Sequence, residues 1–420
     1  DVYKRQDLYI LKCEMFPSSM NPVTSFLGEI ERIYVMSIKK DTIEQMTLEE
    51  KASLMSGHDF WGSRQVGRLN IPQMFMADGP HGLRKQASEG DHLGLVEGVK
   101  ATCFPTSATV ANSWDLDLCE AIGEALGSEA AIHNVNVVLG PGLNTKRNPL
   151  CGRNFEYFSE DPYLSGKLAA AYIRGIQNKG VAACPKHFAA NNQEYLRMTN
   201  DSVVDDRTLH ELYLTGFEIA VKEGKPKAIM SAYNRINGVY ANEHPYLLKD
   251  VLVDQWGFDG IVISDWGGAN DPVEGVRAGS HLEMPTPGYD SIERIVAAVE
   301  KGDLSEEDLN ERVATYLNVL EATAISGSKT VDYEAHDRLA QKAAEQSIVL
   351  LKNDHVLPIQ DDRKVAIIGD FADTPRYQGA GSSMVNAYKL ISTTDVMKTS
   401  PMNIIGYAQG FERNSKANEG

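Results

Sequence analysis

The sequence predicts an α/β fold, in which a (β/α)8 TIM-like barrel is followed by the start of an α/β sandwich domain. Between residues 70 and 285, short apolar runs that end in polar or small residues alternate with helical patterns. This alternation indicates a parallel sheet, because a crossover helix must bring the chain back between parallel strands. The number of units is sufficient to close a barrel of the usual size, about 250 residues.

Seven apolar runs are assigned to barrel strands, and the eighth strand is left open. The runs read PQMFMADGPHG, FPTSATVANSW, NVVLGPGLN, VAACPKHFAANN, AIMSAYN, GIVISDWGG and GSHLEMP. Helices are predicted between them at Asp115–His133, Asp206–Lys222, Tyr246–Trp256 and Ser291–Lys301. A further helix is expected after Ser305, which opens a capping-box pattern.

Changes in pattern predict the domain boundaries. Residues 1–35 show no clear period, and because Met36 resembles a natural start, we treat them as an extension of doubtful relevance. The barrel is assigned to 36–325, a linker to 326–340 and the second domain to 341–420, with a helix at Asp337–Leu350 and a buried-type strand at KVAIIGD. Since an open doubly wound sheet takes about five or six strands, the second domain is expected to be incomplete.

The composition narrows the classes of partner. The net charge of −17 argues against nucleic acid and against an anionic membrane surface, both of which favour basic proteins. No apolar run is long enough to span a membrane. A neutral small molecule is the partner that fits best, and a homo-oligomer is compatible with the sequence.

The motifs predict neither a metal nor a cofactor. The five cysteines are scattered, and neither a CxxC pair nor an HExxH sequence occurs, which indicates no zinc site and fits a reducing cytoplasm. GxGxxG, Walker and GxSxG sequences are also absent. We therefore expect a cytoplasmic protein without a bound cofactor.

Polar side chains follow the apolar runs, where the carboxyl ends of barrel strands meet on one face. Asp265 follows IVIS, and a carboxylate there can act as a nucleophile, a metal ligand or a general base. The neighbouring Trp266 offers an apolar surface to the C–H face of a sugar ring. A helix N-cap explains Asp265 equally well, because Gly267 and Gly268 mark a turn.

The other strand-end residues also have ordinary structural explanations. Lys186 and His187 can bind vicinal hydroxyls, or form a salt bridge and a core histidine. Asp78 can accept two hydrogen bonds, or serve the turn that Asp-Gly-Pro favours. Arg153 supplies a rigid set of donors, or pairs with a nearby glutamate. Tyr233 is a hydrogen-bond donor near the reacting centre, or a core residue.

The ordered motifs resemble those of the β-glucosidases of glycoside hydrolase family 3. The resemblance covers the chain from about Met46 to Asn386 and consists of ten motifs in order, which together are far more specific than any one alone. They read MTLEEKASLMSG, DGPHGLRKQ, CFPTS, GPGLNTKRNPLCGRNFEYFSEDP, KHFAANNQE, SAYNRINGVYANE, GFDGIVISDWG, AGSHLEMP, LLKNDHVLPI and RYQGAGSS.

The resemblance implies a retaining exo-hydrolase that releases a terminal β-linked glucose. Asp265 would be the nucleophile, Trp266 would pack on the sugar ring, and Ser382 would reach over from the second domain. Hydroxyl-binding roles are implied for Asp78, Arg153, Lys186, His187 and Tyr233. The DGP motif resembles glucosidases more than the xylosidases of the family, and KHFAANNQ differs from the KHFPGHG-like loop of its N-acetylhexosaminidases.

Two departures from the family pattern concern the mechanism. His281 occupies the position that is usually Asp in an AGxDLEMP stretch, which could disturb hydrogen bonds under the sugar site or create a pH-sensitive position. Retaining hydrolysis also needs a second carboxyl group about 5–5.5 Å from the nucleophile. The resemblance places that glutamate beyond residue 420, and Glu412 matches no known acid/base motif.

The sequence therefore predicts a β-glucosidase of reduced competence. A non-catalytic sugar-binding fragment and another β-glycosidase, such as a β-xylosidase-like enzyme, are the alternatives within this family. A barrel aldolase is a third hypothesis, for which Lys186 would be the strand-end Schiff-base lysine.

Overall fold

A computed structural model describes residues 40–86, 98–324, 330–360, 362–377 and 381–411, apart from the side chain of Ser382. Two compact units divide the chain, Asp1–Thr47 and Leu48–Gly420. In the first unit, residues 40–45 are helical, and the predicted extension 1–35 lies outside the described residues. The elements described below all belong to the second unit.

The strands of the second unit are short, and most contain two or three residues. They are β1 (Met76–Asp78), β2 (Lys100–Ala101), β3 (Val137–Leu139), β4 (Ala182–Ala183), β5 (Asp201–Ser202), β6 (Ala228–Met230), β7 (Arg235–Ile236), β8 (Val239–Tyr240), β9 (Ile261–Ile263), β10 (Lys364–Ile368), β11 (Asn386–Ala387) and β12 (Asn403–Ala408).

Five parallel strands form the central ring of the barrel. β1, β3 and β4 pair in that order, and β6 pairs with β9. Hydrogen bonds from Met230 N to Pro185 O (3.0 Å) and from Phe188 N to Met230 O (2.8 Å) join the two groups. Every residue of these five strands is buried. Such strands read as continuous apolar runs because both faces of the sheet are covered.

Irregular segments close the ring. Leu282 bridges Ile263 in parallel, and Glu283 bridges Ser56 in parallel. Met76 N then donates to Trp61 O (2.9 Å), beside an antiparallel bridge between Gly62 and Phe75. The segment 55–63 therefore connects the last part of the barrel to the first strand, and the predicted TIM-like fold is confirmed.

One strand assignment was wrong. The run FPTSATVANSW contains an α-helix at Ser107–Val110 and a 3-10 turn at Ala111–Ser113. Thr106 begins the helix because its side chain accepts a hydrogen bond from Thr109 N (3.3 Å). A hydroxyl that satisfies a free amide of the first turn favours helix over strand at this point.

The predicted helices are present, with small differences at their ends. The α-helices of the second unit are Leu48–Ser53, Ser107–Val110, Leu116–Ile132, Pro162–Gln177, Asp206–Thr208, Thr215–Ile219, Pro272–Ala278, Asp290–Lys301, Glu306–Ala322, Tyr333–Ser347 and Thr393–Thr399. Segments with π-helical hydrogen bonds are Leu209–Leu214, Ala220–Gly224 and Tyr246–Gln255. The predicted helix at Asp206–Lys222 thus extends to Gly224 and alternates between α and π geometry.

Two long helices on the outside of the barrel pack closely through glycines. A Cβ at Gly123 would lie 2.3 Å from Tyr172 O, and one at Gly175 would lie 2.1 Å from Glu120 O. Any larger residue would force helices Leu116–Ile132 and Pro162–Gln177 apart. The close packing therefore helps to fix the strands that precede and follow these helices.

The second-domain segment begins with a parallel β–α–β arrangement. β10 and β12 pair in parallel, with helix Thr393–Thr399 between them in sequence. Strand β11 instead pairs in parallel with β2 of the barrel region, so this part of the chain also reaches the barrel. Several apolar side chains of the segment are exposed, including Ile368 and Ile405. The structure thus agrees with the predicted start of an α/β sandwich.

The helix after the barrel differs from its predicted position. It was predicted at Asp337–Leu350 but spans Tyr333–Ser347, because the Asp332 side chain accepts from Ala335 N (2.9 Å) and starts it earlier. Part of the predicted linker 326–340 is therefore helical. The domain boundaries themselves stay predictions. Among the described helices, none is both long and apolar enough to cross a membrane.

Candidate active site

A cavity of about 440 Å³ opens at the carboxyl ends of the barrel strands. Its volume is typical of small-molecule sites. Seven of the predicted site residues line it: Asp78, Arg153, Lys186, His187, Tyr233, Asp265 and Trp266. Residues separated by almost two hundred positions in the sequence therefore meet in one place, as the parallel-barrel argument predicted.

Asp265 lies two residues after β9 and lines the cavity. Trp266 N donates to Oδ1 (2.8 Å), whereas Oδ2 has no hydrogen-bond partner among the described residues. Oδ2 lies 3.6 Å from Nε2 of His187. The N-cap explanation fails because the next helix begins at Pro272 and is capped by Asp271. A buried oxygen without a partner is costly, so Asp265 is a candidate for chemistry.

His187 is held in one orientation by its neighbours. Its main-chain N donates to Asn144 Oδ1 (2.7 Å), and its carbonyl accepts from Asn144 Nδ2 (2.9 Å). On the ring, Nδ1 lies 3.1 Å from Tyr157 Oη. These contacts direct Nε2 toward Asp265, where it can take part in a hydrogen bond to a ligand.

Asp78, the last residue of β1, lies between two cations. Nζ of Lys186 is 3.7 Å from Oδ1, and Nη1 of Arg84 is 3.5 Å from Oδ2. Lys186 is almost completely buried, with 2% exposed, so its charge is compensated by Asp78 rather than by water. The group presents one anion and two cations to a ligand with adjacent hydroxyls.

Arg153 is positioned by a carboxylate. Pairing with a nearby glutamate is the structural alternative that the sequence offered for this residue. Its guanidinium forms an ion pair with Glu156, which is fully buried. The second carboxylate oxygen, Glu156 Oε2, accepts a hydrogen bond from Ser383 Oγ (3.2 Å). A residue of the second-domain segment therefore supports the cavity through Glu156 and Arg153. Arg153 also lines the cavity, so pairing and ligand contact are compatible.

Aromatic side chains form one wall of the cavity. Trp266 donates from Nε1 to Phe60 O (2.8 Å), and its ring centroid lies 5.5 Å from that of Trp61. Tyr233 donates to Trp266 O (2.9 Å), while the Arg197 guanidinium lies 4.5 Å from the Tyr233 ring centroid. The wall is thus rigid and apolar, which suits the C–H face of a pyranose ring.

Burial and neighbouring charges set the protonation states. Burial raises the pKa of Asp265, although Arg153 and Lys186 oppose this by favouring the carboxylate. Burial also lowers the pKa of His187 well below 6.5, and the positive charges of Arg153 and Lys186 lower it further. His187 is therefore a neutral imidazole at neutral pH and a hydrogen-bonding group rather than a cation.

One predicted residue, Ser382, and one residue that was considered but not chosen, Glu412, lie wholly or partly outside the described structure. The side chain of Ser382 lies outside the described part of the structure, although its neighbour Gly381 lines the cavity and Ser383 contacts Glu156. Glu412 also lies outside the described residues. The roles of all eight predicted residues stay predictions, because proximity alone does not assign them.

Sequence reasoning missed several residues of the cavity. Arg84, Glu194, Arg197 and Trp61 line it but were not proposed, and Glu156 was considered only as a partner of Arg153. Arg84 lies in the DGPHGLR motif, close to the end of β1. A charged residue so near a strand end was the signal that could have identified it. Glu194 and Arg197 form an ion pair (2.7 Å) on a loop. The sequence of this loop has neither helical nor strand periodicity, so it gave no signal for a site.

His281 does not line the cavity. It is buried behind β9, where Nδ1 accepts a hydrogen bond from Val262 N (3.1 Å). Burial and the charge of Arg312 hold its pKa well below 6.5, so the ring is neutral at physiological pH. In the described residues, no group of three or more His, Cys, Asp or Glu side chains could hold a metal ion.

We expect Glu156→Gln to destabilise the protein by about 3 kcal/mol at pH 7, because breaking a buried ion pair leaves Arg153 uncompensated. Burial alone would raise the pKa of Glu156, but Arg153 and Lys186 outweigh it and the net shift is downward from 4.5. The stabilisation is therefore present above about pH 4.5 and is lost as the pH falls through the lower folded-state pKa. Urea unfolding at several pH values measures this difference.

Glu160→Gln is the matched control, because it makes the same chemical change on an exposed side chain four residues away. Equal stability of the two variants at pH 7 would contradict the proposed support of Arg153 by Glu156.

Comparison with known families gives two matches. Residues 49–319 match the sequence model of the glycosyl hydrolase family 3 N terminal domain. Residues 348–418 match that of the glycosyl hydrolase family 3 C-terminal domain. The two matches follow one another along the chain, in the order of the barrel and the second-domain segment.

Curated relatives have glycosidase names. Thermostable beta-glucosidase B of Acetivibrio thermocellus is 50% identical over 378 residues, covering 89% of this chain and 50% of the relative. Exo-alpha-(1->6)-L-arabinopyranosidase of Bifidobacterium longum is 45% identical over 370 residues, covering 85% and 49%. The chain thus spans about half the length of the curated relatives it matches.

Solved structures agree with the fold. Beta-glucosidase 3B from Thermotoga neapolitana, in complex with glucose, matches with a TM-score of 0.81 at 39% identity, covering 87% of this chain and 54% of that chain. A family 3 beta-glucosidase from Bifidobacterium adolescentis gives 0.82 at 44% identity, covering 88% and 53%.

Proposed function

Because the chain belongs to glycosyl hydrolase family 3, we propose that its cavity binds a terminal β-D-glucosyl unit and that Asp265 attacks the anomeric carbon. The observation that carries this proposal is Oδ2 of Asp265, a buried carboxylate oxygen without a partner among the described residues. The names of relatives at up to 50% identity support a glycoside as the substrate.

The proposed reaction is a retaining hydrolysis in two displacements. In the first, Oδ2 of Asp265 forms a bond to C1 as the bond between C1 and the aglycone oxygen breaks, and the aglycone leaves with the electron pair. In the second, water attacks C1, the ester bond to Asp265 breaks, and one proton of the water is lost to solvent or a base. His187, neutral and 3.6 Å from Oδ2, can orient a sugar hydroxyl beside the reacting carbon.

The cavity can hold the sugar by complementary surfaces. Asp78, Lys186 and Arg84 provide an acceptor and donors for adjacent hydroxyl groups. The wall formed by Trp266 and Trp61 faces the apolar side of a ring. These are the two features that a site for a neutral sugar needs, since hydroxyls lost from water must find new partners.

The proposed mechanism has no clear general acid to protonate the leaving oxygen among the cavity carboxylates of the described residues. The cavity carboxylates other than Asp265 each contact a cation: Asp78 with Lys186 and Arg84, Glu156 with Arg153, and Glu194 with Arg197. Despite its burial, the charges of Arg153 and Lys186 hold the pKa of Glu156 below its usual value, so Glu156 is a poor proton donor. Burial raises the pKa of Asp78, but both of its oxygens contact cations. We therefore propose that the protein acts mainly on glucosides whose leaving group needs no proton.

Two alternatives remain within the family. A non-catalytic sugar-binding fragment would keep the hydroxyl contacts without forming a bond to Asp265. The second alternative is a substrate with a different glycone. It could be a β-xyloside, or an α-L-arabinopyranoside, the substrate in the name of the 45% identical Bifidobacterium longum relative. Nitrophenyl glycosides of the three sugars, compared by kcat/KM, distinguish the glycones.

Cytoplasmic localisation and a homo-oligomer stay predictions.

The test is covalent labelling with 2,4-dinitrophenyl 2-deoxy-2-fluoro-β-D-glucoside, whose fluorine slows hydrolysis of the intermediate. We expect one fluoroglucosyl group per chain, located on Asp265 by peptide mass spectrometry. The rate should rise with pH through one titration whose pKa exceeds 3.8, because burial raises the pKa of Asp265. No inflection should occur near 6.5, because burial keeps His187 neutral.

Saturable binding of glucose without any label would favour the non-catalytic alternative. A label on another carboxylate would contradict the role of Asp265. An inflection near pH 6.5 would show that His187 titrates in the ordinary range and is not the neutral group proposed. Circular dichroism at each pH value separates these effects from unfolding.

A further inference from the structure

A histidine side chain takes the place of a backbone acceptor beside β9. Val262, the middle residue of β9, donates its N–H to Nδ1 of His281 (3.1 Å). The Val262 carbonyl accepts from the backbone N of His281 (2.9 Å) and of Leu282 (3.1 Å). Buried backbone N–H groups in a strand need an acceptor, and here His281 supplies it from its side chain.

The same edge of β9 continues directly to Asp265. Ser264 N donates to Leu282 O (2.9 Å), and Met284 N donates to Ser264 Oγ (2.9 Å). Gly267 N then donates to Met284 O (2.7 Å). Asp265 is therefore fixed on both sides by bonds to segment 281–284, and the His281–Val262 bond is the first of this series.

The identity of residue 281 is consistent with an acceptor role. Burial keeps the imidazole neutral, and the nitrogen of a neutral imidazole that carries no proton is a hydrogen-bond acceptor. Since Nδ1 accepts, the proton of the neutral ring is on Nε2, which has no partner among the described residues.

We propose that His281 is a positioning residue for Asp265, acting through the hydrogen bond from Val262 N to its Nδ1. The proposal rests on the proposed function of Asp265. Loss of the acceptor leaves Val262 N–H unsatisfied, loosens β9 against segment 281–284 and displaces Oδ2 from the position in which it meets C1. Because displacements of about 1 Å can cost about 10²-fold in rate, the effect falls on the chemical step.

The test compares variants by the saturation kinetics of Asp265 labelling with the fluoroglucoside. His281→Leu removes the acceptor, and His281→Gln keeps a polar group but moves it away from the position of Nδ1. Both should lower the maximal labelling rate by about 10-fold to 10²-fold, with the half-saturating concentration within about threefold of the wild type. His281→Asn and His281→Asp, which keep an oxygen near the position of Nδ1, should restore the rate to within about threefold.

Val276→Ala is the packing control, because Val276 is buried, lines the same small cavity as His281 and makes no side-chain hydrogen bond. Its labelling rate should stay near that of the wild type. A rate in His281→Leu and His281→Gln no lower than in Val276→Ala would overturn the proposal. An Asn or Asp variant as slow as Leu would overturn it as well, because the acceptor would then not be the cause.

Hydrogen exchange at the Val262 amide separates this proposal from the proposed function. Exchange should be faster in His281→Leu and His281→Gln than in the wild type, and slow again in His281→Asn. If the wild-type protein takes no label, the proposed function of Asp265 fails and the positioning role fails with it. Altered exchange would then show that His281 holds β9 for packing alone.

Discussion

Asp265→Asn is expected to lower kcat/KM for 2,4-dinitrophenyl β-D-glucoside by about 10⁴-fold or more and to abolish covalent labelling. The amide has nearly the shape of the carboxylate but cannot form the ester to C1, so the first displacement is lost. Removal of a nucleophile usually costs this much because the remaining contacts cannot replace bond formation. Initial rates and intact-protein mass spectrometry measure both effects.

The same variant should be at least as stable as the wild type at neutral pH. Burial raises the pKa of Asp265 in the folded protein, so the ionised form is disfavoured by folding. For a carboxyl group with a raised pKa, stability decreases as the pH rises through that pKa. Asparagine removes this cost, and the melting temperature at pH 7 should therefore stay equal or increase.

Asp161→Asn is the control for the chemical change. Asp161 caps helix Pro162–Gln177 by accepting from Tyr163 N and Leu164 N, and Asn is an equally good N-cap. Activity of this variant should match the wild type. Retained labelling in Asp265→Asn, at the same site or another, would contradict the nucleophile assignment.

The second large effect concerns the leaving group. We expect the chain to turn over 2,4-dinitrophenyl β-D-glucoside about 10²-fold to 10⁴-fold more efficiently than cellobiose, after division by the same ratio measured for a beta-glucosidase of the family. General acid catalysis contributes about this factor, and dinitrophenolate leaves without a proton. The carboxylates that could donate one are each beside a cation, as in the pair of Glu194 and Arg197.

Added azide provides a control within the same experiment. If no base activates water in the second displacement, azide should accelerate turnover of the activated glucoside and form β-glucosyl azide. Similar efficiency on both substrates, together with no effect of azide, would show that a general acid/base is present. The nucleophile assignment would remain intact in that case, because the Asp265 test does not depend on it.

Much of the fold and part of the site could be predicted from local sequence. The apolar run IVIS followed by Asp265 predicts a buried strand with a carboxylate at its end, and the structure has β9 at that place. Parallel strands bring their carboxyl ends together, so the strand-end positions of Lys186 and Asp78 predict that both lie near Asp265. The capping pattern at Ser305 likewise predicted where a helix begins, because a cap acts on amides only two or three residues away.

Other features depend on contacts between residues that are far apart in sequence. The helix in FPTSATVANSW is not one of them, because the Thr106 cap that favours it is local and lies three residues from its partner Thr109. The ring closes through segment 55–63 and Glu283, which show no strand pattern. Neither the pairing of Glu156 with Ser383 nor the acceptor role of His281 could be predicted from their own neighbourhoods.

The sequence alone thus determined the order of elements and most strand ends, including the place of Asp265 after β9, because periodicity and capping are local properties. The tertiary structure decided which oxygen of Asp265 lacks a hydrogen-bond partner in the described part of the chain, which cations contact Asp78, and how Ser383 reaches Arg153 through Glu156. Those outcomes depend on distances across the barrel, which packing sets and which no stretch of neighbouring residues encodes.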